Sequence, residues 1–421
     1  MHLMRQKNNH ITISIDTIGA FLVNYYYLLL IFCYFLCVFI DIRPAMMMFA
    51  VNVLLVLLKL SLVISRKKLK ISLVTVYVLW MIISLASILF SYLPVSVYIN
   101  SVLYVGTPII LFGWSESKRV DVNKVFSSFL YAIVFNSVFG IICFYSKPSF
   151  YKNYLLRTSV TAYQQAFHVY GAGRLVTMFG SIETGVLSLI AIIIALGLLL
   201  DEGSRVKNIN ALLISFVAMI LSQQRGPIFA GALILVYLII RSLKDRLVNP
   251  IVVVLIFVGT IFTFYYLQKN NKNVYDLLLQ RLLNPMDAIE ERTSKPITVL
   301  QNYTPIKLLF GGGIGSCEMF AEDYSNTGIY DGLYFNILGE LGIVGVSLFL
   351  VIIVKALIRG LRSIRDCFIP LFIVFAIAFI GIGTTLIYYP QIMPIFWFSL
   401  GRLLLVDYRK ISQKTSSITC D

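Results

Sequence analysis

Charge is scarce in this chain. Only 13% of its 421 residues are Asp, Glu, Lys or Arg, where a soluble protein carries roughly a quarter. Histidine is limited to three residues. The six cysteines (Cys33, Cys37, Cys143, Cys317, Cys367 and Cys420) show neither paired spacing nor a neighbouring His, so spacing supports no disulfide framework and no metal site. A nucleotide loop is missing as well. The glycine cluster "GGGIGS" at 311–316 is followed by no Gly-Lys-Ser/Thr, which a phosphate-cradling loop requires. It also lacks the strand–turn–helix setting of a dinucleotide fingerprint.

Apolar residues are abundant, at 59% of the chain, and they recur in runs near the ~20 residues that cross a bilayer as a helix. Tyr and Phe number 25 and 30, as expected where rings sit at lipid interfaces. The pattern predicts an all-α polytopic membrane protein, a single integral membrane domain over 1–421. A soluble helical bundle does not explain so many runs with so few charges. About twelve spans (range about ten to twelve) are expected, near 18–40, 45–64, 71–90, 97–113, 125–145, 179–200, 209–223, 227–240, 248–267, 332–354, 367–387 and 391–406. The short pair 209–223 and 227–240 reads as a hairpin. The first run has no small-residue cleavage site and is expected to be a retained helix.

The net charge of +15 is first a matter of topology. Short basic segments, "SRKKLK" (65–70), "SESKRVDVNK" (115–124), "DEGSRVKN" (201–208), "RSLKDR" (241–246) and "KALIRGLRSIRD" (355–366), alternate with the spans. The positive-inside rule makes them cytoplasmic together with both termini, and nucleic acid is not expected as a partner. Two long segments, 146–178 and 268–331, then face outward as large periplasmic loops, the second partly helical. Long segments of this kind carry function in compact proteins.

The first outer segment has Lys147, Lys152, Arg157 and Arg174 and no carboxylate before Phe179, which suits an anionic ligand. Arg holds phosphate through two parallel hydrogen bonds. Arg174, in "GAGR", precedes a span. Arg225, in "SQQRGPIF", stands between two apolar runs, where a cation is costly unless it meets a cavity or partner. Glu183 sits at the start of the 179–200 span. The second outer segment mixes Arg281 and Arg292 with several carboxylates up to Asp331.

The stretch from "LLFGGGIGS" to "YDGLYFNILGELGIVGVSLFL" resembles the bacterial O-antigen polymerase and O-antigen ligase superfamily. The matching elements are the turn at Gly311, Gly313 and Gly315, then Asp331-Gly332-Leu333-Tyr334, then Glu340-x-Gly342-x-x-Gly345. Arg174 with Gly185, Arg225 in "SQQRG" and Arg292 lie at similar places in that family. Ligases usually carry His where this chain has Asp331, which favours a polymerase.

The resemblance implies a glycosyltransferase of the bacterial inner membrane that works at the periplasmic face without metal or cofactor. Its substrates would be oligosaccharides on undecaprenyl diphosphate within the lipid bilayer, with a flippase and a chain-length regulator as pathway partners. An acceptor hydroxyl would attack the donor's anomeric carbon, and lipid diphosphate would depart. Arg174, Arg225 and Arg292 are then expected to hold the diphosphate, with Arg281 in reserve, and Asp331 to act as base, with Glu183 second. Tyr334 is expected among the sugar-facing aromatics, and Gly313 and Gly315 as the turn near the substrate. The open alternatives are a ligase, a capsule or exopolysaccharide polymerase, and a lipid-linked oligosaccharide flippase.

Overall fold

A computed structural model describes residues 15–40, 44–66, 87–90, 105–167, 173–200, 205–245, 300–317, 332–364 and 366–406, with isolated positions between 95 and 101 and between 265 and 298. Among the described residues every regular element is a helix, and β-pairing is limited to one bridge, Thr177 with Gly180. The all-α expectation holds. The elements are α1 (Ile15–Asn24), α2 (Tyr26–Phe39), α3 (Pro44–Arg66), α4 (Ile110–Trp114), α5 (Val122–Ser146), α6 (Ser149–Thr158), α7 (Val160–Ala166) and α8 (Ser181–Leu200). They continue as α9 (Arg205–Leu221), α10 (Arg225–Asp245), α11 (Pro305–Phe310), α12 (Leu333–Arg362), α13 (Phe368–Ile380) and α14 (Met393–Leu405).

Three described helices, in α5, α8 and α12, are long and apolar enough to cross a membrane. The bent pair α1–α2 makes a fourth if its 65° bend counts as one span. The other apolar helices, in α3, α9, α10, α13 and α14, are shorter. The described residues thus carry the membrane character of the chain and fewer full-length spans than the apolar runs alone predicted. The predicted spans 71–90 and 248–267 lie almost wholly outside them.

The differences have local causes. The run 18–40 divides at Tyr25 into α1 and α2. The run 367–387 stops being helical at Ile380, because Gly381 and Gly383 flank the end and Pro390 follows. The basic stretch after Val354 continues α12 to Arg362. The hairpin α9–α10 is fully helical on both arms, with Gln223 left-handed at the turn (φ 54°).

Most of the described residues of 146–178 are helical. Lys147 takes a left-handed conformation and ends α5, α6 follows at once, and Ser159 caps α7 by accepting the Ala162 N–H at 3.1 Å. Tyr151 and Tyr154 on α6 are buried. Arg157 donates to the carbonyls of Cys37 and Val38 at 3.2 Å, so it closes the C-terminus of α2, where a cation is favoured.

The centre of the structure is α8. Its spanning window is 83% buried, against 33% for α12, which leaves α12 at the periphery. α8 packs against α5, α9, α10 and α13. In a bilayer such packing depends on close van der Waals contact rather than on water expulsion. Gly197 shows the closeness: a methyl there would lie 2.2 Å from Ile369 on α13.

Candidate functional site

Several helices end at one face of the bundle, and the chain there is irregular. The segments 173–180, 222–224, 311–317 and 381–392 meet at this face, joined by named contacts.

The first is a buried turn before α8. The Leu175 N–H donates to Leu221 O at 2.9 Å, and the Gln223 side-chain amide donates to Gly173 O at 3.2 Å. These bonds bracket Arg174 and lay its backbone against the α9–α10 turn, while the Arg174 N–H donates to Gln165 O at 2.9 Å. A side-chain network fills the turn. Asn136 donates to Thr177 Oγ1 at 2.8 Å and accepts the Met178 N–H at 3.3 Å. The hydroxyls of Thr177 and Thr184 lie 2.9 Å apart, and Thr184 also donates to Gly180 O. Tyr154 donates to Met178 O at 2.6 Å, and Tyr151 donates to Val176 O. Burial pushes both phenols well above their ordinary range; beside Tyr154, Cys37 and then Glu183 push the same way.

Glu183 is buried in the first turn of α8. Its carboxyl lies directly over Gly180, whose φ of 119° excludes a side chain: a Cβ there would be 2.3 Å from the carboxyl oxygen. The carboxyl accepts its own backbone N–H. Two residues on, a methyl on Gly185 would meet Ser222 Oγ at 2.8 Å and Gln224 Cβ at 2.9 Å. The start of α8 therefore rests on the turn leading into Arg225, the half-buried first residue of α10. Arg174 and Glu183, nine residues apart on one segment, and Arg225 on another, come from two chain segments that touch.

The second part of the face is the glycine loop, and it holds no empty cradle. α12 breaks at Gly342 (φ 66°, ψ −169°), a conformation that glycine alone adopts freely. The break releases the carbonyls of Gly339 and Glu340 from the helix. They accept the N–H groups of Gly312 and Gly313 at 2.8 and 3.0 Å, and Tyr303 also donates to Gly339 O at 3.2 Å. The Glu340 carboxyl is buried in the loop's concavity. It accepts from Tyr388 and from the Cys317 N–H at 3.4 Å, and the Gly315 N–H, also held by the Tyr388 oxygen at 3.0 Å, reaches it too. A glycine-rich turn of this kind binds anions. Here the anion site is filled by the chain's own acid. Gly313 and Gly315 accordingly belong to the frame that docks the loop on α12.

The two parts adjoin. A methyl on Gly226 would lie 3.2 Å from Ile380. The next residue, Gly381, accepts the Leu333 N–H at 2.7 Å, and Gly332 lies against Ile382 O. Tyr34 closes the face: it accepts from the Gln391 amide and packs edge-on against Phe179 at 4.7 Å. Gly226 and Gly332 thus both lie against the Ile380–Ile382 segment.

The other predicted residues divide clearly. Tyr334, half-buried, donates to Ala378 O at 2.7 Å and packs against Phe349, so it ties α12 to α13. Arg281, Arg292 and Asp331 lie outside the described residues. Glu340 and Tyr388 were not singled out for a site by sequence. A carboxylate inside an apolar run was the available signal, but nothing local pointed to Tyr388, 48 positions away. The chain's sequence matches no protein-family model and no curated protein.

Proposed function

We propose that the chain is an O-antigen polymerase-type glycosyltransferase, joining oligosaccharide units carried on undecaprenyl diphosphate at the periplasmic face of the inner membrane. The observation that carries this reading is the convergence of Arg174, Arg225 and the buried Glu183 on one irregular face beside the start of α12. Two arginines at a membrane edge suit a diphosphate, whose negative charge grows as it leaves. In this reading Arg174 and Arg225 hold the donor's diphosphate with Arg292, and Arg281 is held in reserve. The acceptor hydroxyl loses its proton to a carboxylate as it attacks the anomeric carbon. The resemblance assigns that role to Asp331. The geometry supports Glu183 as the second acid, because it is buried at the start of α8 over Gly180 and beside the turn that leads into Arg225.

The test is lipopolysaccharide on a gel from cells carrying Arg225→Ala, Arg174→Ala or Asp331→Ala. A polymerase defect leaves a band of core plus one unit, and a ligase defect leaves no attached O-antigen. A full ladder at normal protein level would remove the residue from the mechanism.

A transporter is the second reading, favoured by the break in α12 and the bend between α1 and α2, since broken helices mark transport sites. Against it, the carbonyls released at Gly342 bond to Gly312 and Gly313 and are not left to coordinate an ion.

A further inference from the structure

The C-terminal ends of α2 and α5 and the first turn of α6 build an aromatic shelf. Phe35 packs edge-on against Phe39, Phe135 and Phe139 at 5.3, 5.9 and 6.3 Å. Phe39 in turn stacks on Phe150 of α6 at 5.9 Å. Both rings stay open to the surroundings, Phe39 at 61% and Phe150 at 40% exposure. Tyr151, Tyr154 and Leu155, on one face of α6 at helical spacing, are buried and fix it in the bundle. Phe150, Lys152 and Leu156 are left outside.

The level of the shelf follows from the helix lengths. α5 is long enough to cross a membrane, and α6 begins after only Lys147 and Pro148. α6 itself, ten residues long, reaches ~15 Å, half of the ~30 Å hydrocarbon core. It therefore lies along the boundary where α5 leaves the hydrocarbon, a zone that aromatic rings favour. Charge on the shelf has one sign. No Asp or Glu stands between Asp121 and Glu183. Lys147 and Lys152 are exposed, and Lys152 Nζ lies 6.0 Å from the Tyr163 ring of α7. Arg157 is committed to the α2 carbonyls. Asp41 and Arg43, which follow α2 in sequence, offset each other.

We infer that this shelf docks an anionic phospholipid of the surrounding bilayer, with its phosphodiester held by Lys147 and Lys152 and an acyl chain against Phe39 and Phe150. Charge complementarity names the occupant: two ammonium groups in a segment without carboxylates attract an anionic head group over a zwitterionic one. Lysine acts as a point charge and lacks the planar fork that reads phosphate geometry. The shelf therefore selects for charge and not for head-group structure. Each lysine near an anionic membrane surface contributes on the order of fivefold in affinity. The site is independent of the reaction proposed above, in which neither lysine takes part.

The experiment is fluorescence quenching of the purified full chain in detergent, carrying Phe150→Trp, by lipids with brominated acyl chains. The unaltered chain, with its three native Trp residues, gives the background. Val351→Trp, on the exposed side of α12, reports lipid contact away from any lysine of the shelf. At position 150, half-quenching should need about 25-fold less phosphatidylglycerol than phosphatidylcholine, from about fivefold for each lysine. At position 351 the two lipids should quench alike. Lys152→Gln should leave a preference of about fivefold. Adding Lys147→Asn, a residue that tolerates the left-handed backbone there, should remove the rest. Unbrominated phosphatidylserine should compete as well as phosphatidylglycerol, and inorganic phosphate should not compete.

Equal quenching by the two lipids at position 150 would overturn the inference, and so would no quenching there by either. A preference that survives loss of both lysines, in a chain that melts normally, would remove them as the head-group site. Relief of quenching by inorganic phosphate would mark a site for a soluble anion instead of a lipid.

Discussion

Two acids are buried near the same face, and their surroundings differ. Glu340 lies in a concavity of backbone N–H groups and the Tyr388 hydroxyl, and its own main chain is bound to the same loop. Glu183 lies over a glycine, accepts its own N–H, and borders the turn that leads to Arg225. Burying a charge is tolerated where donors replace water. Glu340 has those donors, so its acid holds the loop to the helix break. Among the described residues Glu183 has fewer such donors than Glu340, and it borders the turn into Arg225, a place that suits a group meeting a substrate.

The largest expected effect is on chemistry. Arg225→Ala should lower polymerisation by ~10²-fold or more, the scale for removing one preorganised charge-stabilising group, with protein level unchanged. Pulse-labelled lipopolysaccharide gives the rate. A comparable loss of folded protein would move Arg225 to the structural side of the comparison.

Next comes the frame. Gly342→Ala forces φ 66° on a residue with a side chain and sets its Cβ 2.3 Å from Leu309 O. A cost of ~3 kcal/mol or more should appear as a lower melting temperature in detergent and as reduced accumulation. Tyr388→Phe removes one donor from the buried Glu340 carboxyl and should cost ~1–3 kcal/mol, with activity per folded molecule kept. A Tyr388→Phe protein that melts normally but fails to polymerise would break the division between the two acids.

The smallest effect is a pH dependence. Burial raises the phenols of Tyr151 and Tyr154 above their ordinary values. Both folded and unfolded states are protonated below ~10, so the contribution of these groups is fully present there. Above that, the unfolded chain releases protons that the folded one keeps, and stability falls as pH rises. Melting from pH 8 to about 11 should steepen downward beyond ~10, and the slope should weaken in a Tyr151→Phe, Tyr154→Phe double variant.

Much of the helix content was legible because apolar runs with few charges leave a bilayer-spanning chain little choice. Glu183, Arg174 and Arg225 were legible as charges placed where the membrane makes them costly. The rest depends on distant contacts. Glycines inside apolar runs can pack helices or break them, and only the docking of 311–317 decides for Gly342. The helices α6 and α7 escaped notice because α6, "SFYKNYLLRT", carries its polar face among scattered apolar residues, and its burial depends on Tyr151 and Tyr154 meeting Val176 and Met178, 25 and 24 positions on. The role of the glycine cluster was half visible: the missing Lys excluded a nucleotide, but the acid that occupies the loop lies beyond local pattern.

The most direct measurement compares Glu183→Gln with Glu340→Gln, each assayed for melting temperature and for polymerisation per folded molecule. The account predicts that Glu183→Gln melts like the unaltered protein and loses ~10²-fold or more in rate, the range for a positioned acid or base. It predicts that Glu340→Gln melts earlier and keeps its rate per folded molecule. A Glu183→Gln protein with a full ladder, or one destabilised as much as Glu340→Gln, would contradict it.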